Sequence, residues 1–354
     1  MPVKELLSKF QQSVDINERQ LERLFSAFLS TDDFWQAIPL SQLPFNLFVE
    51  ACRELHKAGI ISFEEDKVLL TEKGKSYIKP ELFSSLNSLC PSCSGTGIDL
   101  KPWEKLLSEF KETTKGRPEP LLEYDQGYLT PESTISRIAF ADSKGDVRGK
   151  SIIILGDDDL LSIAFGLSRL PKRIVVLELD DRLVNFIEKA NEEKGLGIEV
   201  RKHDLRHPLP DDLLSQFDTF FTDPVETLQG LEVFIGRGIA SLRDIGCAGY
   251  FGLTKAESSL NKWRDFQRIL VEKFGVVITD ILSDFSSYEN WDYLLDSIVR
   301  DLPPLQHKPK VLWYKSSLYR IELVPGYRSF NEEGKGELYV DEESIVWRRR
   351  EKRC

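Results

Sequence analysis

The chain has 354 residues, 41% of them hydrophobic, and 58 Asp and Glu against 47 Lys and Arg give it a formal charge of −11. That length accommodates two domains with real cores, while the negative balance argues against a general nucleic-acid binder, which needs positive surface for phosphates, and suits a cationic ligand. No window approaches the roughly 18 uncharged apolar residues of a membrane span, MPVKELLSKFQQ lacks the apolar centre of a signal peptide, and five cysteines with one close pair make no disulfide framework, so a cytoplasmic protein without membrane contact is expected.

The N-terminal part reads as helical and then briefly β. Leu6, Leu7 and Phe10, then Leu21, Leu24, Phe25 and Phe28, recur at helical spacing, and a third helix runs from near Pro44 to Gly59. Ile60 to Phe63 and Lys67 to Leu70 form a hairpin, and Thr71 to Ile78 a last short helix, which together predict a winged-helix-like domain over residues 1–85. Those residues hold 10 Lys and Arg against 13 Asp and Glu, with no basic cluster on the third helix. A packing or dimerisation role is therefore expected ahead of DNA binding, and a homodimer is the expected assembly.

Residues 86–117 form a connector carrying Cys90 and Cys93 in a CxxC spacing, half of a zinc site that Cys52 and His56 could complete. A thiol-packed turn or a local disulfide is the simpler reading. No metal is expected to be required.

Over residues 118–325 strands and helices alternate, which predicts an α/β, Rossmann-like, methyltransferase-type, mostly parallel sheet. Strands are expected at Ser151 to Leu155, Arg173 to Leu177, Ile198 to Arg201, Thr219 to Thr222, Ala248 to Leu253, Val276 to Ile281 and Lys310 to Tyr314. Ligands bind at the carboxyl ends of such strands, and here nearly every such end is acidic: Asp157, Asp158 and Asp159, then Glu178 and Asp180, Asp204, Asp223 with Glu226, and Glu257.

The first of these ends decides the chemistry. After Gly156, three aspartates stand where a nucleotide-binding domain usually places a glycine-rich anion cradle. Glu178 follows Gly156 by 22 residues, close to the spacing of an acid that takes a ribose hydroxyl. With Leu179, Asp180, Asp204 and Leu205 it suggests an adenosyl ligand. Any one of these acids could equally be a helix cap. S-adenosylmethionine carries a carboxylate, and two like charges 4 Å apart repel by about 4 kcal/mol at an effective dielectric near 20. Decarboxylated S-adenosylmethionine offers an ammonium instead, so the transferred group would be 3-aminopropyl.

These motifs carry a resemblance. The GDDD turn at 156–159, with Tyr124-Asp125-Gln126, LELDD at 177–181, FTDPVET at 221–227 and LTKAESS at 253–259, resembles the branched-chain polyamine synthase family, found in thermophilic archaea and bacteria. The resemblance spans the whole chain. It implies aminopropyl transfer to the internal secondary amine of spermidine, then a second transfer to a quaternary product. It implies Asp159 as general base, with Asp125 and Glu257 anchoring the polyamine alongside Gln126, Asp223 and Glu226. Thr222-Asp223-Pro224 also resembles the aspartate motif of linear aminopropyltransferases, which makes Asp223 a rival base. Methyl transfer to a nucleic acid and a non-enzymatic polyamine-sensing regulator remain the alternatives.

Residues 326–354 are acidic over NEEGKGELYVDEESIV and then basic at Arg348, Arg349, Arg350, Lys352 and Arg353. A solvated flexible tail is expected from the charge pattern. The resemblance implies instead a mobile lid that helps sequester the polyamine.

Overall fold

The computed structural model describes residues 7, 14–78, 90, 93, 95–291 and 302–345. Leu6, Phe10 and the basic run from Arg348 to Arg353 lie outside the described residues. The first described helices are α1 (Glu18–Ser30), α2 (Phe34–Ser41) and α3 (Phe45–Lys57). Asn17 starts α1 with a reciprocal capping box to Gln20, and Leu21, Leu24, Phe25 and Phe28 share its buried face. Strand β1 (Ile61–Glu64) pairs antiparallel with β2 (Lys67–Leu70), and the short α4 (Glu72–Lys75) follows.

This N-terminal core does not close on itself. Leu129, Ala256, Tyr288, Trp313 and Tyr314 belong to the same buried cluster. The Trp313 ring lies 5.2 Å from Trp35 and 5.4 Å from Phe45. Residues 310–314 were expected as a strand, but Val311, Trp313 and Tyr314 spend their apolar surface on the N-terminal helices. The strand itself begins at Lys315, five residues past the expected start.

The central sheet has seven strands: β3 (Ser151–Leu155), β4 (Arg173–Glu178), β5 (Ile198–Lys202), β6 (Thr219–Thr222), β7 (Ala248–Thr254), β8 (Val277–Ser287) and β9 (Lys315–Glu322). Their order is β5-β4-β3-β6-β7-β9-β8. β3 to β7 run parallel, and β9 is antiparallel to both β7 and β8. The β8 strand runs six residues beyond the expected Ile281.

Alternation along β3 feeds two cores. Ile152 and Ile154 pack with Ile135 and Ile138 of α6 (Pro131–Ser143), Phe165 of α7 (Leu161–Ser168) and Leu183 of α8 (Asp181–Lys194). Ile153 and Leu155 face Ile235 of α9 (Leu228–Ser241) and Phe266 of α10 (Leu260–Arg268). α5 (Glu104–Thr113) covers the first face through Phe110. The chain order reverses between β3 and β6, which opens a crevice at their carboxyl ends.

Over residues 326–345, the segment expected as a solvated tail is laid against this body. Leu338 and Ile345 are buried, Thr227 donates to the Leu338 carbonyl at 2.7 Å, and fully buried Arg237 donates to the backbone carbonyls of Phe330 and Glu332.

Candidate functional site

The turn after β3 is tight, with Gly156 at φ 73 and Leu160 at φ 54, and a left-handed leucine is strained backbone of the kind that collects at working sites. It aims its three aspartates differently. Asp157 accepts from the Ser162 backbone N–H at 3.2 Å and caps α7. Asp158 Oδ2 accepts from Gly127 N–H at 3.1 Å. Asp159 Oδ1 accepts from Leu129 N–H at 2.6 Å, and its Oδ2 lies 3.4 Å from Arg137. Burial pushes the Asp157 and Asp158 carboxyls well above the usual range. Asp159 is pushed up to about 6, by desolvation first and then by the charge of Asp223, against the pull of Arg137.

Two cavities meet at this turn. The first, about 620 Å³, is lined by Gly156, Leu177, Glu178, Leu179, Leu205, Val225, Phe234 and Tyr339. The second, about 480 Å³, is lined by Gly127, Glu226, Glu257, Tyr288, Trp291 and Tyr314. Asp125, Gln126, Asp158, Asp223 and Pro224 line both and form the junction. Among the described lining residues of the two cavities there is no Lys or Arg.

The sequence-predicted residues therefore divide. Gly156, Asp158, Glu178, Leu179 and Leu205 reach the first cavity, and Asp125, Gln126, Asp223, Glu226 and Glu257 reach the second. Asp157, Asp159, Asp180 and Asp204 line neither. Asp157 is a cap. Asp180 caps α8 and binds Arg182 and Gln126; desolvation raises its carboxyl, but those hydrogen bonds outweigh it and hold the group below the usual range. Asp204 is taken by Arg206 at 2.6 Å. Asp159 stands directly behind the junction, held by Arg137.

Glu178 makes its turn rigid, accepting from the N–H groups of Asp157, Leu179 and Asp180. Burial nonetheless raises its carboxyl. Glu226 accepts from Thr254 N–H and Ser258, and burial and then Glu257 push its carboxyl well up. Glu257 accepts from the Tyr314 hydroxyl at 2.6 Å and from Ile345 N–H at 2.7 Å, which ties the C-terminal segment to the second cavity.

Arg137, Tyr288, Trp291 and Tyr314 escaped the sequence reading. Arg137 is buried, with Asp159 at 3.4 Å, Asp223 at 3.3 Å and Ser286 at 3.0 Å. Burial disfavours its charge, but Asp223, Tyr288 and Asp159 more than restore it. Tyr288 donates to the Asp223 carboxylate. The one available signal was an arginine inside the apolar run ISRIAFA, since a charge in a buried helix needs a partner. Among the described residues no three His, Cys, Asp or Glu side chains are placed to hold a metal, so Cys52 and His56 do not complete a site with Cys90 and Cys93. Cys93 Sγ instead accepts from Gly97 N–H at 3.3 Å.

Comparison with known proteins identifies the family. Residues 105–346 match the model of the branched-chain polyamine synthase A C-terminal domain. N(4)-bis(aminopropyl)spermidine synthase of Thermococcus kodakarensis is 46% identical over 341 residues, covering 95% of this chain and 97% of its own. The enzyme of that name from Methanocaldococcus jannaschii is also 46% identical, over 94% of this chain and 96% of its own. The crystal structure of the branched-chain polyamine synthase from Thermus thermophilus in complex with N4-aminopropylspermidine and 5'-methylthioadenosine superposes with a TM-score of 0.87, at 39% identity, over 97% of this chain and 98% of that one.

Proposed function

The chain belongs to the branched-chain polyamine synthase family, and from that membership we propose that it moves the 3-aminopropyl group of decarboxylated S-adenosylmethionine onto the internal secondary amine of spermidine. The products are N4-aminopropylspermidine, then N4-bis(aminopropyl)spermidine, with methylthioadenosine released at each transfer. One observation carries the reading: Asp158 and Asp223 face the junction of two cavities whose described linings hold no Lys or Arg, and the one histidine among them, His203, is held towards its neutral form by burial. An amino-acid carboxylate meets no Lys or Arg in these linings, whereas ammonium groups meet several carboxylates.

The first cavity fits the adenosyl part. Leu177, Leu179, Leu205, Val225 and Phe234 supply apolar walls for a base, and Glu178 a carboxylate for ribose hydroxyls. Asp157, Asp180 and Asp204 support this cavity from behind: two cap helices and the third holds its loop through Arg206. The second cavity takes the polyamine, with Asp125, Glu226 and Glu257 placed for its ammonium groups.

An alkylammonium with a pKa near 10.4 loses its proton at pH 7 at a cost of roughly 4 to 5 kcal/mol. Asp159 is assigned the proton: its carboxyl, pushed up to about 6, is closer to the amine than an ordinary aspartate, which narrows that mismatch. Asp158 and Asp223 hold the cation at the junction, and Arg137 pairs with both Asp159 and Asp223. The freed nitrogen lone pair forms the new C–N bond as the S–C bond breaks and its electrons pass to sulfur. Positioning by the flanking carboxylates supplies most of the rate, and no metal is needed because methylthioadenosine leaves the sulfonium as a neutral thioether.

The sheet order supports a Rossmann-like, methyltransferase-type catalytic domain over 118–325. The N-terminal helices and hairpin support a winged-helix-like domain whose work is packing, since Trp35 and Phe45 back the Trp313 that stands behind Tyr314. Mass spectrometry of products from spermidine with decarboxylated or ordinary S-adenosylmethionine tests the reaction. Aminopropylated spermidine and methylthioadenosine are expected from the decarboxylated donor alone; methylated product, or none, would overturn it.

A further inference from the structure

The two transfers differ in charge. In the first, the secondary amine becomes a tertiary ammonium that still has a proton to give to a carboxylate. In the second, the tertiary amine, having lost that proton, forms its fourth C–N bond as the second S–C bond breaks. No proton is left, and the nitrogen keeps a fixed positive charge with no N–H. A carboxylate cannot hydrogen-bond such a centre, and the alkyl arms hold it at a distance. Aromatic faces meet it directly, because a ring quadrupole attracts a cation without needing a donor.

The second cavity contains such faces. Tyr288, Trp291 and Tyr314 line it together, with Tyr314 5.1 Å from Tyr288 and 5.2 Å from Trp291, at interplanar angles of 89° and 75°. Rings set nearly perpendicular make walls of a box instead of a stack. Both tyrosine hydroxyls donate to carboxylates, Tyr288 to Asp223 and Tyr314 to Glu257, which leaves their rings richer in electrons. Trp291 lies over Gly127, where an added Cβ would come within 3.3 Å of its ring; the glycine lets the indole sit against the junction loop that holds Asp158.

We propose that Tyr288, Trp291 and Tyr314 form an aromatic box that selects for the second transfer, stabilising the quaternary charge as it develops, while the carboxylates serve the first. The inference rests on the aminopropyl-transfer reading and adds which residues carry the reaction past the tertiary amine.

The test follows both products with time for the wild type, Trp291→Leu and Trp291→Phe, supplied with spermidine or with N4-aminopropylspermidine. Trp291→Leu is expected to slow the first transfer about two- to threefold and the second ~10-fold or more, so that the tertiary product accumulates, and Trp291→Phe to restore much of the second step. Equal losses in both steps, or an unchanged product ratio, would overturn the box. Choline and its neutral isostere 3,3-dimethylbutanol give a readout independent of any variant's folding: inhibition of the second transfer by choline at ~10-fold lower concentration is expected, and equal inhibition by the two would contradict it. A wild type that makes only the tertiary product also overturns the box alone. A wild type that makes no branched product overturns the transfer reading beneath it.

Discussion

Gly252 makes room for Asp223: a Cβ at position 252 would lie 2.0 Å from the Asp223 carboxylate and 3.1 Å from the Arg137 guanidinium. The strand β7 thus contributes to the site by lacking a side chain. Gly252→Ala is expected to push Asp223 off Arg137 and Tyr288, lowering turnover at least ~10-fold for a stability loss of only about 1–3 kcal/mol. Steady-state kinetics beside a urea melt check it; unchanged turnover would mean that Asp223 need not sit where it does.

Arg137→Met removes the cation shared by two buried carboxylates. Breaking a buried pair from one side costs about 3–5 kcal/mol, so the melting temperature should fall sharply at pH 7. The sign with pH is fixed by Asp159. Its folded carboxyl is already high, about 6 with Arg137 present, and goes higher without it, so the variant's deficit should shrink as pH falls and the acids protonate. A deficit that grows in acid would contradict the pairing.

The Asp159 carboxyl also predicts a pH profile. Only the ionised form accepts a proton, and burial pushes the group up to about 6. Turnover should therefore rise through that region as pH increases, and the limb should be missing from Asp159→Asn, whose residual rate is expected to be down by ~10²–10⁴. A limb that survives Asp159→Asn and disappears in Asp223→Asn would transfer the role to Asp223.

Asp158→Asn separates stability from function. A carboxyl raised by burial costs the folded state stability as pH climbs above the ordinary aspartate range, because the unfolded chain has then released a proton that the native state keeps. Asn keeps an acceptor for Gly127 N–H and lifts that cost. The variant should melt higher than the wild type at pH 7, about equally at pH 4, and bind donor poorly. A lower melting temperature at pH 7 would show that Asp158 is a structural acid.

Much of this site was legible because parallel strands deliver their carboxyl-end residues to one edge whatever else the fold does; Asp158, Glu178, Asp223, Glu226 and Glu257 were found that way. The same rule overcounted. Asp157 and Asp180 occupy the same kind of position yet cap α7 and α8, and nothing in one sequence separates a cap from a ligand. Tyr288, Trp291 and Tyr314 were missed because they come from the antiparallel side and its approach to β9, where no strand-end rule applies. The strand at 315–322 was displaced by the WY pair at 313–314, whose apolarity looked like sheet and serves the N-terminal core. The packing of Leu338 and Ile345 was hidden by the acidic residues around them, which dominate the local composition.

The central claim is that acidic residues at the end of β3 select a donor without a carboxylate. Isothermal titration of decarboxylated and ordinary S-adenosylmethionine into the wild type and Asp158→Asn measures it directly. The expected result is a preference for the decarboxylated donor of ~10²-fold or more, since its ammonium pairs with the Asp158 carboxyl and draws it into the ionised form, which the carboxylate of the ordinary donor cannot do, and a marked narrowing of that preference in the variant. Equal affinity for the two donors, or a preference untouched by Asp158→Asn, would contradict it.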